Sequence, residues 1–268
     1  MARAKRHYIP GQIWHLTHRC HKRDFLLALI KDRRRLVQWL LEAKRRYGLA
    51  ILNYTVTSNH IHLLILDKKG RDVIPRSVKL VAGRIGQEFN LRKNRKGAFW
   101  EDRYHATAVE TDHHLLRCIV YIDLNMVRAG VVTHPSEWDF GGYNEIQNPR
   151  RKNVLIDHQK LSELAGFESY DAFRMAHQDL VNESLANGEN TRQAQWTESI
   201  AVGSKSFLEG IKDKLGIRAK GRSILERDGE FQLREKAGTY NAVFDGKKED
   251  IGHENGYYWD VIPDISAS

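Results

Sequence analysis

The chain has 268 residues, 41% of them hydrophobic and 9% aromatic, with a formal net charge of +9. No apolar run approaches the roughly 20 residues of a membrane span, and the basic start MARAKRHYIPGQ has no apolar stretch behind it, unlike a secretory signal. The two cysteines, Cys20 and Cys118, exclude a disulfide framework or a Cys-rich zinc module and fit a reducing, cytoplasmic setting.

Charge is unevenly placed. Residues 1–145 hold 26 Lys and Arg against 14 Asp and Glu, whereas residues 146–268 hold 17 against 20. The basic residues cluster at Arg33-Arg34-Arg35, Lys44-Arg45-Arg46, Lys68-Lys69 with Arg71, and Arg92-Lys93 with Arg95-Lys96. Each cluster alone reads as a solvated helix face. Four in one half of the chain point to a polyanionic partner such as nucleic acid.

In chain order, Ile13–His21 predicts a strand, and Lys31–Tyr47 an amphipathic helix with Leu36, Trp39, Leu40 and Ala43 on one face, stopped by Gly48. Leu49–Thr57 and His60–Leu66 predict two strands hairpinned through Ser58-Asn59. Asp72–Leu91 follows as a helix interrupted by Gly83 and Gly86, then a strand over Phe99–Glu110. Asp112–Arg128 is the clearest helix, with Gly130 as its C-cap. This interleaving predicts an α+β fold, an antiparallel sheet with helices packed on it. A boundary falls near 145–155. It divides a domain over 1–147 from a mostly helical region over 155–215, with helices at Asp157–Leu164, Tyr170–Leu185 and Ser204–Leu215. A tail over 216–268 ends with Tyr257-Tyr258-Trp259 and has no assigned structure.

Within Thr57-Ser58-Asn59-His60-Ile61-His62-Leu63-Leu64-Ile65, period-two alternation puts His60 and His62 on one face and Ile61, Leu63 and Ile65 on the other. Two imidazoles side by side are either hydrogen-bonded sheet residues or part of a metal site that needs a third donor. On the 112–128 helix, His114, Arg117, Cys118, Tyr121, Asn125 and Arg128 share an arc opposite the aliphatic residues, with Tyr121 and Asn125 one turn apart. Asp123 falls on the apolar arc, where a buried partner such as an Arg is expected.

Taken together, Asn59-His60-Ile61-His62-Leu63-Leu64, Trp100-Glu101-Asp102-Arg103-Tyr104, Tyr121-Ile122-Asp123-Leu124-Asn125, Val127-Arg128-Ala129-Gly130 and His15-Leu16-Thr17-His18-Arg19 resemble the REP-associated tyrosine transposases. These belong to the single-tyrosine, histidine–hydrophobic–histidine superfamily, which is insertion-sequence 200-like. The resemblance covers about residues 7–145. It departs at Thr57-Ser58, where the family has Met-Pro, and at Met126, where it has Pro.

The resemblance implies a ferredoxin-like antiparallel sheet carrying the histidines, with the tyrosine helix beside it. It implies Tyr121 as nucleophile, with His60, His62 and Asn125 as ligands of Mg2+ or Mn2+. Nearby cations would favour the phenolate. The implied reaction is cleavage and rejoining of hairpin-containing single-stranded DNA, such as a repetitive extragenic palindrome, through a 5′-phosphotyrosine. Candidate DNA contacts are Arg19, Arg33, Arg34, Arg35, Arg103, Arg117 and Arg128; Trp14 and Trp100 are either core residues or base-stacking surfaces. A monomer or homodimer associated with the nucleoid would fit such a role. The principal alternative keeps the fold without the chemistry, as a regulatory protein that binds hairpins and does not cut them. An RNA-binding ferredoxin-like module and a replication-initiator nickase are further alternatives. The first would carry aromatics where this sheet carries histidines, and the second often has two tyrosines where Tyr121 stands alone on its helix face.

Overall fold

A computed structural model describes residues 9–68, 70, 72–188, 191–227 and 230–235. The expected cations Lys69 and Arg71 and the Tyr257-Tyr258-Trp259 end lie outside the described residues. The first half runs β1 (Ile13–Arg19), α1 (Ile30–Tyr47), β2 (Ala50–Val56), β3 (His60–Leu66), α2 (Val73–Arg92) and β4 (His105–Val109). The strands lie in the order β2-β3-β1-β4, and every pair among them is antiparallel. This is the ferredoxin-like arrangement of two split β-α-β units.

α1 ends where Gly48 takes φ +70°, a conformation that suits a residue without a Cβ, and its N–H donates to the Lys44 carbonyl. Its buried stripe of Leu36, Leu40 and Ala43 packs with α2 against one face of the sheet. Each fully buried Leu there contributes roughly 1.5–3 kcal/mol. Gly86 in α2 lets that helix approach Phe99, whose Cβ would lie 3.2 Å from an added methyl.

The other face of the sheet is polar along its centre. His15 and Thr17 of β1, Asn53 and Thr55 of β2, His62 of β3 and His105 and Thr107 of β4 pair across the strands on that side. It is covered by α3 (His113–Asp123) and α4 (Asn125–Arg128). Asn53 Nδ2 and Thr55 Oγ1 donate to the Ile119 and Ile122 carbonyls of α3 at 3.3 and 3.1 Å. The helix expected to run unbroken to Arg128 is interrupted at Leu124, and Gly130 closes it with φ +67°.

Past α5 (Tyr143–Gln147), α6 (His158–Leu164) and α7 (Tyr170–Ala186) follow, close to their expected bounds. α8 (Gln195–Glu198), β5 (Ala201–Gly203), α9 (Lys205–Leu215), β6 (Arg222–Arg227) and β7 (Glu230–Glu235) complete the described chain. β5 pairs in parallel with β4, and the β6–β7 hairpin joins beyond it, giving seven strands in the order β2-β3-β1-β4-β5-β7-β6. The C-terminal region is thus helical as expected and also extends the sheet. Asp123 is buried, but its partners are not arginines. Its carboxylate accepts from Asn53 Nδ2 at 3.0 Å and from His177 Nε2, in α7, at 2.8 Å. Trp14 is buried, and Trp100 is half-buried against the His18 ring with its N–H on the Ala82 carbonyl, so both serve packing.

Candidate active site

β3 begins at His60 because the chain turns tightly just before it. The Thr57 N–H donates to the His60 carbonyl at 2.9 Å, and Thr57 Oγ1 accepts from the N–H groups of Asn59 and His60 at 3.3 and 3.0 Å. The Thr57-Ser58 pair therefore closes the hairpin with a hydroxyl. Asn59 Nδ2 donates to the Arg23 carbonyl at 3.1 Å, which turns Asn59 Oδ1 toward His60 Nδ1, 2.6 Å away. An amide oxygen only accepts, so the His60 proton sits on Nδ1 and Nε2 carries the lone pair.

The His60 and His62 rings lie 4.9 Å apart, nearly perpendicular. Asn125 Nδ2 donates to His62 Nε2 at 3.1 Å, so that nitrogen too presents a lone pair. Burial, then neighbouring positive charge, holds the His60 imidazole down to about 3; burial and the two nearby imidazoles hold His62 well below its ordinary range. Both are neutral at pH 7, the form in which imidazole binds a metal. Among the described residues no three His, Cys, Asp or Glu side chains converge as a metal group. The donor set is instead two imidazole Nε2 atoms and the Asn125 amide, and it suits a divalent ion with positions left open for other ligands.

Tyr121 stands beside His62 and His15, its ring 6.1 Å from His62 and 6.2 Å from His15, edge-on to both. The Arg128 guanidinium lies 4.1 Å from the centroid of the phenol ring and donates to the Tyr121 carbonyl at 2.6 Å. Burial raises the phenol above its ordinary value; the charges of Arg128 and Arg192 act in the opposite direction without overcoming it. The expected bias of the cations toward phenolate is therefore present but outweighed by desolvation.

Tyr121, His60, His62, Asn125, Arg19 and Arg128 gather on this one face. Arg19 is half-buried at the end of β1, opposite His60 in register, and its charge acts on both His60 and Tyr121. The other cations lie elsewhere. Arg33 is buried on α1, beyond the opposite face of the sheet, donating to the Leu27 and Ala28 carbonyls and lying 4.9 Å from the Trp138 and Phe140 rings. Arg35 is engaged with Glu88 at 2.7 and 2.8 Å. Arg34 and Arg103 are exposed. Arg117 is half-exposed and pairs with Glu230 of β7 at 2.7 Å.

Residues 10–125 match the family described as IS200-like transposases, a span that contains the histidine pair, Tyr121 and Asn125. Through this segment, which is less than half of its length, the chain is similar to the IS200-like transposases. Among solved structures, it is similar to a REP-associated tyrosine transposase bound to a REP hairpin, at 23% identity and TM-score 0.45 over 54% of this chain and 84% of that one. It is also similar to a putative transposase from Deinococcus radiodurans R1, at 20% identity and TM-score 0.32 over 41% and 87% of the two chains. No curated protein matches the chain.

Three residues at the site escaped the sequence reading of roles. Arg192 supplies positive charge to both His60 and Tyr121 from the acidic half of the chain. Trp196 is fully buried with its ring 6.2 Å from Tyr121. His15, visible only as part of a motif, lies beside His62. Arg192 and Trp196 carry no local signature, because neither follows from periodicity or spacing.

Proposed function

We propose that this protein is a transposase, a metal-dependent DNA endonuclease and strand transferase acting on single-stranded DNA with a hairpin, in which Tyr121 is the nucleophile. The observation that supports this most is the convergence of the Tyr121 phenol, two imidazole lone pairs and the Asn125 amide beneath Arg19 and Arg128. His60, His62 and Asn125 would hold Mg2+ or Mn2+, which supplies Lewis-acid polarisation of the scissile phosphate.

The remaining steps belong to the chain. Tyr121 Oη attacks phosphorus and releases its proton to solvent; the bond from phosphorus to the 3′ oxygen breaks, and that oxygen takes up a proton. The products are a 5′-phosphotyrosyl linkage and a free 3′-hydroxyl. Because a phosphodiester is exchanged for a phosphodiester, attack by another 3′-hydroxyl rejoins the strand without ATP. Arg128 and Arg19 are placed to hold the phosphate by charge-assisted bonds. Arg34 and Arg103, both exposed, are available to the DNA backbone, and Arg117, Arg33 and Arg35 would reach it only by leaving their present partners.

A hairpin substrate fits the basic balance of residues 1–145 and is the ligand of the REP-associated neighbour. The domain over 1–147 would carry the chemistry, as monomer or homodimer, with 155–215 and 216–268 as its companions. Among the described residues no helix is long and apolar enough to cross a membrane, and a nucleoid-associated, cytoplasmic location accords with the substrate.

The test is incubation with labelled hairpin single-stranded DNA and Mn2+, followed by a denaturing gel. A covalent adduct that disappears in Tyr121→Phe supports the reading; no adduct, or one that survives the substitution, overturns it. One observation favours the alternative of a hairpin-binding regulator that does not cut: Tyr121 is only 5% exposed. Tight hairpin binding without any adduct would select it.

A further inference from the structure

The proposed mechanism leaves two imidazoles of the polar face unused, His15 and His105. His15 is fully buried in β1. Its Nδ1 lies 2.8 Å from the carbonyl oxygen of Trp196, and its Nε2 lies 2.8 Å from His62 Nδ1. A carbonyl oxygen only accepts, so His15 Nδ1 carries a proton. The ring nitrogens of this fully buried side chain meet the Trp196 carbonyl and His62 and, among the described residues, no carboxylate, so a second proton would be an unpaired buried cation. His15 is therefore neutral, and its Nε2 is an acceptor.

The consequence passes to the next ring. Between His15 Nε2 and His62 Nδ1 the proton belongs to His62, and a neutral imidazole has only one. Thr17 Oγ1 also lies near His62 Nδ1, but at 3.4 Å it is the weaker partner. With its proton committed to Nδ1, His62 must present a lone pair at Nε2, the atom facing Asn125. The near-coplanar rings of His15 and His62, 14° apart, suit this in-line contact.

We propose that His15, oriented by the Trp196 carbonyl, is a positioning residue that locks His62 in the Nδ1–H tautomer, so that the segment around α8 presets one of the two histidine donors. The two donors are thus prepared by different means. His60 is set locally by its chain neighbour Asn59, whereas His62 is set through His15 by Trp196, which lies 181 positions from His15. Thr107 Oγ1 donates to the Ser199 carbonyl at 2.7 Å and lies 3.1 Å from the Trp196 carbonyl, which ties the backbone following α8 to β4. The functional consequence rests on the assignment of His62 as a metal ligand; the tautomer itself does not. Partners of this kind around ligating histidines are worth roughly 10- to 100-fold in metal affinity.

The test uses the full chain labelled with 15N in its histidines, free of metal, and reads the His62 ring by long-range 1H–15N NMR. Mn2+ affinity is then measured by calorimetry for wild type, His15→Phe and His15→Gln. Wild type should show His62 protonated at Nδ1 and unprotonated at Nε2. His15→Phe keeps a ring but no acceptor, and should give mixed His62 tautomers and roughly 10-fold or more weaker Mn2+ binding. His15→Gln can donate to the Trp196 carbonyl and accept from His62, and should restore both readouts. A wild-type His62 protonated at Nε2 overturns the proposal, whether or not either variant folds. So does a folded His15→Phe with the wild-type tautomer and affinity. Wild-type protein with the expected tautomer but no Mn2+ binding supports the relay, while refuting the ligand assignment on which its metal role rests.

Discussion

Replacing Asp123 by Ala should destabilise the protein by about 2–6 kcal/mol, because it takes a fully buried carboxylate away from two hydrogen-bond donors. The Asp123 and His177 side chains are both fully buried, so solvent screening does not discount the interaction. Removing the carboxylate strands two donors, Asn53 Nδ2 and His177 Nε2. Each costs roughly 1–3 kcal/mol when left unpaired. The two together give about 2–6 kcal/mol. Asp123→Asn keeps one acceptor oxygen but turns an N–H toward the remaining donor, so about half the loss is expected.

Urea unfolding followed by tryptophan fluorescence measures this as a shift in midpoint at unchanged slope. A double-mutant cycle with His177→Ala should return a coupling above about 1 kcal/mol, because the two groups touch. A loss below about 1 kcal/mol for Asp123→Ala, or additive effects in the cycle, would refute the reasoning. The site would feel the change, since Asp123 lies between Tyr121 and Asn125 and ties their helices to β2 and α7. Strand-cleavage activity should therefore fall in Asp123→Ala even at temperatures where it stays folded.

Other consequences can be checked alongside. A methyl at Gly142 would sit 2.0 Å from Asn53 Oδ1, so Gly142→Ala should lose about 1–3 kcal/mol by overpacking; Gly83→Ala, with open space around it, should be neutral or stabilising by up to about 1 kcal/mol. Acid should weaken the metal-free fold, because burial holds His15 down to about 4 against 6.5 when unfolded. The unfolded chain binds the extra proton in that window, so stability falls as pH drops from about 6.5 towards 4, by on the order of 3 kcal/mol for this residue. A flat urea midpoint across that window would contradict it. Arg33→Ala should lower stability by roughly 1.5–3 kcal/mol, the worth of hydrogen bonds made by a charged group, with little change in the salt dependence of DNA binding. Arg34→Ala should leave the melting temperature unchanged and reduce the slope of log affinity against log salt by about one unit.

Most of what the site contains was legible before any coordinates. Period-two alternation placed His60 and His62 on one face. The Ser58-Asn59 turn set the start of β3, Gly48 and Gly130 marked helix ends by their positive φ, and one helical turn related Tyr121 to Asn125. These are rules of local geometry, and a backbone obeys them wherever the segment lies. The resemblance then linked the segments into a ferredoxin-like order, which the strand pairing reproduces.

What stayed hidden in the sequence depends on pairs distant along the chain. Nothing near Asp123 names His177 as its partner, and Arg33 looks identical to Arg34 until one is found under Trp138 and the other in solvent. The extension of the sheet by β5, β6 and β7 joins segments too short or too charged to declare themselves as strands. The sequence by itself determined which chemical groups are present and how neighbours along the chain share a face. Only the tertiary structure decided which proton each histidine carries. That depends on a backbone carbonyl at Trp196, and every residue has a carbonyl, so no side-chain pattern could single this one out.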